Sequence, residues 1–251
     1  MAPLKVLING FGRIGRLTFR YLYEDPLFEI KGINDLCSCD SAAYLGNYDS
    51  IHGRWSHRMV ANDDTITVDG THEIAFSQSK TIEGILNVGS YDVVLECTGK
   101  HLKVAGLEKY FEMGVKRVIV SAPVKENGAV NIVLGCNHEL IGDNKLVTNA
   151  SCTTNCIGPV IKVIKENLGI KHGCITTVHN VTGTQVRYVC CVLCVVCCVL
   201  CVVFCCLCVF LLCSHFFTFF SLSTSTSPNQ QPQFNSLNLA DPSRHAKHKE
   251  V

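Results

Sequence analysis

Short apolar runs alternate with amphipathic stretches along the first 185 residues of this chain. Leu4 to Asn9 is a compact apolar run ending in a glycine turn. Leu17, Tyr21 and Leu22 then recur at helical spacing up to Asp25-Pro26, and Phe28 to Asn34 reads as a second strand. Thr65 to Val68 and His72 to Phe76, split by Asp69-Gly70, predict a hairpin, because Asp-Gly supplies the positive φ that a tight connection needs. Asp92 to Glu96, Arg117 to Val120, Asn131 to Leu134 and Lys145 to Thr148 predict further strands, with a helix from His101 to Met113. Ile157, Val160, Ile161, Ile164 and Leu168 mark a helix capped at Asn149 or Ser151 and closed by Gly169, with a kink expected at Pro159. Gly173 to Asn180 predicts one more strand. Alternating strands and helices imply an α/β fold with a doubly wound parallel sheet, a Rossmann domain over residues 1–150. The start of an incomplete α+β portion follows over 151–186, and a separate tail over 187–251.

Two places in this pattern carry chemistry. The first is Gly10-Phe11-Gly12-Arg13-Ile14-Gly15, set between a strand and a helix, where glycines permit a tight turn, close approach of a pyrophosphate and close packing. Asp35, twenty positions after Gly15 and next to Asn34, stands where an acid would hold ribose hydroxyls and repel a 2′-phosphate, which favours NAD over NADP. Ligands of such sheets bind at the carboxyl ends of strands, so Thr98, Gly99 and Ser121 are cofactor contacts or simple turn residues. The second place is Ser151-Cys152-Thr153-Thr154-Asn155-Cys156 at a helix start, where unpaired N–H groups and the helix dipole favour a thiolate nucleophile at Cys152. Cys156 reads as structural.

Charge and cysteine content change the picture little. The formal charge is +1 and no basic patch suggests nucleic acid. Of 17 cysteines, ten lie between Cys190 and Cys213. The other seven have no framework spacing, as in a reducing compartment. Cys37 and Cys39 read as loop cysteines, and no metal site is expected. The start of the chain reads as a first strand and not a signal peptide, which points to a cytoplasmic protein.

The cysteine segment, with Thr-Thr-Val-His-Asn-Val-Thr-Gly-Thr-Gln at 176–185 and Asn-Gly-Phe-Gly-Arg-Ile-Gly-Arg at 9–16, resembles the phosphorylating glyceraldehyde-3-phosphate dehydrogenases. The resemblance implies an NAD-dependent oxidation of an aldehyde to an acyl phosphate through a cysteine thioester. It implies Cys152 as nucleophile, His179 as general base, and Ser151, Thr153 and Thr182 at the substrate or phosphate oxygens. Its implied partners are glyceraldehyde 3-phosphate, inorganic phosphate and three further copies in a homotetramer. Erythrose 4-phosphate oxidation would use the same Cys152 and His179, and a catalytically inactive NAD-binding or membrane-tethered fragment is the rival of another class. The segment 47–55 resembles a structural or subunit-contact loop. Ser77-Gln78-Ser79-Lys80 holds no arginine where the family places one near the cofactor.

The resemblance stops at Gln185. Val189 to Cys213 is an unbroken run of Val, Cys, Leu and Phe, long enough as a helix, about 37 Å, to cross a bilayer core, and equally an aggregation-prone β segment. Ser221 to Val251 is polar and expected to be disordered. The abrupt end of the motifs, and residues whose codons can be built from T and G alone, lead us to read the segment after Gln185 as translated intron in preference to a selected anchor. An anchor should carry a basic flank, yet no Lys or Arg follows Cys213 until Arg244. Sequencing the transcript across the Gln185 codon separates the two: a spliced message supports read-through, and a sole message encoding the run rules it out.

Overall fold

The computed structural model describes residues 2–179 and two further strands, at 207–213 and 216–223. The chain divides into two compact units, one up to Ser151 and one beginning at Cys152.

The first unit is built on a nine-stranded sheet. Its elements, in chain order, are β1 (Leu4–Asn9), α1 (Arg13–Tyr23), β2 (Phe28–Asn34), α2 (Cys39–Asn47), β3 (Tyr48–Asp49), β4 (Gly53–Arg54), β5 (Met59–Asn62), β6 (Thr65–Val68), β7 (His72–Ser77), β8 (Val93–Glu96), α3 (Val104–Glu112), β9 (Arg117–Val120), β10 (Val130–Asn131) and β11 (Leu146–Thr148). The sheet order is β10-β11-β9-β8-β1-β2-β7-β6-β5. Strands from β10 to β7 run parallel, and β6 and β5 close one edge as an antiparallel meander. The order reverses at β1, with β2 on one side and β8 on the other, which is where an open α/β sheet leaves its crevice.

Alternation along β1 explains how both faces are covered. Val6 and Ile8 join a core with Phe19 of α1, Ala42 of α2 and Ile74 of the meander, whereas Leu7 joins a second core with Leu107 and Tyr110 of α3. Burying a side chain such as Phe19 contributes roughly 2–3 kcal/mol against the entropy of ordering the chain. In the hairpin, Asp69 and Gly70 both take positive φ, 51° and 71°, as the Asp-Gly pair predicts.

Several boundaries differ from the sequence reading. The helix expected from His101 starts at Val104, whose N–H is satisfied by Glu126 Oε2 at 2.7 Å. The strand expected over Asn131 to Leu134 is β10, Val130–Asn131, and Leu134 lies exposed beyond it. Cys37-Ser38-Cys39 is not simply loop: Ser38 caps α2 by accepting the Ser41 N–H at 3.2 Å, and Cys39 opens that helix, buried.

The second unit begins with α4 (Cys152–Leu168), continuous through Pro159, followed by Gly169 at φ 71°. After it, β12 (His172–His179) pairs antiparallel with β14 (Phe216–Ser223), which pairs with β13 (Leu207–Cys213). The last seven residues of the apolar run are thus extended and not helical, and no helix among the described residues is long and apolar enough to cross a membrane. The remainder of the run and of the tail lies outside the described residues.

Candidate dinucleotide cleft and nucleophile helix

Parallel strands end together because their backbones are locked in register, and here one register row crosses the whole parallel part of the sheet. Ser77, Asn34, Asn9, Glu96, Val120, Thr148 and Asn131 are successive partners from β7 to β10. All but Val120 are polar. Immediately beyond this row the chain turns, and the turns around β1, β2 and β8 form a cleft lined by Gly10, Gly12, Asn34, Asp35, Thr98 and residues 79–81.

The glycine turn is as tight as its sequence requires. Gly10 has φ 94°, and a Cβ there would meet the Thr98 nitrogen at 2.6 Å. A Cβ on Gly15 would meet the Gly10 carbonyl oxygen at 2.1 Å, so α1 approaches the turn only because Gly15 has no side chain. A Cβ on Gly12 meets nothing within 4 Å, leaving backbone open to a ligand. Arg16 braces the turn from within α1, its Nη1 donating to the Phe11 carbonyl at 3.0 Å. Its burial pulls the guanidinium below its usual range, which Asp49 opposes. Asp35 stands at the end of β2 and accepts the Phe11 N–H at 2.6 Å and the Cys37 N–H at 3.0 Å. Each carboxylate oxygen keeps a lone pair for a ligand hydroxyl.

Of the other cofactor candidates, Arg13, Ile14 and Gly15 form the first turn of α1. Gly99 and Ser121 follow β8 and β9 without lining the cleft, and the Ser121 N–H donates to the Glu96 carbonyl at 2.9 Å. The sequence reading missed Ser79, Lys80, Thr81, Lys100 and His101, which line the cleft from loops. The first three are held at the cleft by Asn34, whose amide bridges to Ser79: Nδ2 donates to the Ser79 carbonyl at 3.0 Å and Oδ1 accepts the Ser79 N–H at 2.8 Å. Lys80 thus brings a cation to the stretch that lacks the family's arginine.

In the second unit, Cys152 is the first residue of α4 and is exposed, with Ser151 just before it and Thr153 just after, both half-buried. His179 closes β12. The His179 side chain and Thr182 lie outside the described residues. Among the described residues, no cluster of His, Cys, Asp or Glu could hold a metal.

Cys152 is exposed, whereas Cys37 and Cys97 are partly buried. Burial, with the Asp35 charge adding, pushes the Cys37 thiol up to about 11, and burial pushes Cys97 to about 11 against the opposing hydrogen bond from Ser121. Both therefore stay protonated thiols below that range, and the thiol is the unreactive form. In a folded chain treated briefly with iodoacetamide at pH 8, peptide mapping should find Cys152 labelled at least tenfold faster than Cys37 or Cys97. Comparable rates would contradict this.

A parallel sheet with its crevice at the strand-order reversal, a glycine turn at a helix start and an acid at the end of the second strand define the dinucleotide-binding class of α/β proteins. Residues 4–104 match the model of the glyceraldehyde 3-phosphate dehydrogenase NAD binding domain, and residues 151–189 match that of the same family's C-terminal domain. Glyceraldehyde-3-phosphate dehydrogenase 3 of a Nostoc species is 47% identical over 186 residues, 72% of this chain and 55% of that protein. The enzymes of Mycoplasma pneumoniae and Geobacillus stearothermophilus are each 40% identical over 72% of this chain and 54% and 55% of their own lengths. The chain belongs to the glyceraldehyde-3-phosphate dehydrogenase family, and it spans about half the length of the relatives it matches.

Proposed function

We propose that the cleft of the first unit binds NAD and that Cys152 is the nucleophile of an aldehyde-oxidising, acyl phosphate-forming reaction on glyceraldehyde 3-phosphate. The observation that carries the reading is the open Gly12 backbone beside Asp35: the turn offers N–H groups to a pyrophosphate and the carboxylate accepts ribose hydroxyls. Asp35 beside a 2′-phosphate would set two anions against each other, so NADP is disfavoured.

Cys152 would attack the aldehyde carbon, forming a C–S bond, with His179 taking the thiol proton and returning it to the new alkoxide to give a hemithioacetal. Bound NAD would supply the hydride acceptor that turns this adduct into a thioester. His179 would take the hydroxyl proton as the carbonyl re-forms, and backbone N–H groups at the start of α4 would stabilise the oxyanion. Attack by a phosphate oxygen would break the C–S bond and release the acyl phosphate, with Ser151, Thr153 and Thr182 on the phosphate oxygens. A cytoplasmic site of action accompanies this reading, a homotetramer belongs to the family's two-domain chains, and erythrose 4-phosphate is the substrate a sister enzyme would take.

The family's remaining substrate and interface groups have no counterpart after Gln185, so binding and turnover should separate in this chain. We expect the 251-residue chain to reduce NAD with glyceraldehyde 3-phosphate and phosphate at under one thousandth of the rate of a family enzyme spanning both domains. Comparable turnover would overturn the assignment of 187–251 as a tail foreign to the family.

A further inference from the structure

The register row contains one acid, Glu96, which is 1% exposed and has no part in the chemistry above. Its hydrogen bonds run in one direction. Ser77 Oγ donates to Asn34 Oδ1 at 2.8 Å, Asn34 Nδ2 to Asn9 Oδ1 at 2.7 Å, and Asn9 Nδ2 to Glu96 Oε2 at 2.7 Å. Tyr110 of α3 donates its hydroxyl to the same oxygen at 2.8 Å and accepts Asn9 Nδ2 at 2.7 Å. The other oxygen, Oε1, accepts the Thr98 N–H at 2.9 Å and the Thr98 hydroxyl. Every partner donates, as suits an ionised carboxylate with acceptor sites only. Burial and the nearby Glu96 charge push the Tyr110 hydroxyl far above its usual range, which keeps it a donor.

An acceptor-only terminus fixes everything upstream of it. With Glu96 accepting, Asn9 must present Nδ2 to it and Oδ1 to Asn34, so Asn34 must present Nδ2 to Asn9 and Oδ1 to Ser77 and the Ser79 N–H. The same carboxylate holds Thr98, whose nitrogen is the atom a Gly10 Cβ would strike. One buried side chain thereby governs three walls of the cleft: the glycine turn after Asn9, the loop at Ser79 and the turn at Thr98.

We infer that Glu96 is a positioning residue for the dinucleotide, its carboxylate orienting the Asn9 and Asn34 amides and the Thr98 turn so that the cleft is formed before a ligand arrives. This rests on the cleft being the NAD site. Glu96→Gln is close in shape but replaces one acceptor with a donor, which then faces either Asn9 Nδ2 or the Thr98 N–H and hydroxyl. Unpaired buried donors are costly, and the local remedy is to flip an amide or release the turn.

The test uses the full chain, NAD titration by calorimetry and hydrogen exchange by mass spectrometry at 10 °C. For Glu96→Gln we expect NAD affinity to fall at least tenfold and exchange to rise at least tenfold in peptides covering 9–12, 78–81 and 97–100. Peptides within β9 and α1 should be unchanged. Tyr110→Phe, which leaves Asn9 and Thr98 on the carboxylate, should bind NAD within threefold of wild type. If Glu96→Gln does not fold, Glu96→Asp, which keeps the charge but withdraws it by one methylene, should lose at least fivefold in NAD affinity with the same local exchange. NAD affinity within twofold in the substituted chain, or exchange raised evenly across the sheet, overturns the proposal. Should wild type itself fail to bind NAD, the cofactor reading falls, and exchange in the three peptides decides on Glu96 alone, an unchanged pattern refuting it.

Discussion

Cys152→Ser should abolish turnover in a version of this chain completed with the family's second domain, by at least a thousandfold in kcat, while NAD affinity stays within a few-fold. A serine hydroxyl is a far weaker acid and nucleophile than a cysteine thiol. The cleft lies in the unit up to Ser151 and its lining includes nothing from α4, so the substitution has no route to cofactor affinity through that lining. Steady-state rates and a parallel NAD titration check both halves. A serine variant that retains a tenth of the activity would remove Cys152 from the nucleophile's role.

Gly15→Ala should be among the most damaging single methyls in the first unit. Its Cβ would sit 2.1 Å from the Gly10 carbonyl oxygen and 3.3 Å from Ile8 Cγ2. Backbone oxygen cannot rotate away as a side chain can, so α1 must lift from β1. The packing of Phe19 against Phe11 and Trp55, at centroid distances of 5.6 and 5.4 Å, is carried along with it. Overpacking of this kind costs about 3 kcal/mol, and the lifted turn should lose NAD affinity at least tenfold. Gly12→Ala is the informative contrast, since its methyl meets no protein atom within 4 Å. It should leave stability within about 0.5 kcal/mol and still weaken NAD binding, because the methyl occupies ligand space. Thermal unfolding and calorimetry on both variants separate a fold glycine from a site glycine. Equal stability of the two would contradict the packing account.

The elements that the sequence revealed are those in which one periodicity persists for a whole element. Leu4 to Asn9, Phe28 to Asn34 and Arg117 to Val120 were legible to the residue, because each is rich in Val, Ile, Leu or Phe and is bounded by turn residues. The helix Cys39–Asn47 was not, since its buried positions are Cys39, Ala42, Ala43 and Gly46, too small to stand out as an apolar stripe. The edge strand Met59–Asn62 was missed because it is four residues long and its exposed Val60 hides the alternation in the sequence. Local chemistry that depends on one turn was legible: Gly10, Gly12 and Asp35 meet at the cleft. Contacts that depend on long-range register were not. Nothing in the run ending at Glu96 announces that this acid accepts from Asn9, 87 residues earlier, or that Asn34 reaches across to Ser79. Such pairings exist only once three strands end in one row.

The central claim, that this cleft is built for NAD, is tested most directly by titrating the chain with NAD and NADP under identical conditions, with Asp35→Ala alongside. The account predicts saturable NAD binding at least tenfold tighter than NADP in the unsubstituted chain, and a ratio that collapses toward one in Asp35→Ala as the charge facing the 2′-phosphate is removed. Absence of saturable NAD binding, equal affinities, or a ratio unmoved by the substitution would contradict it.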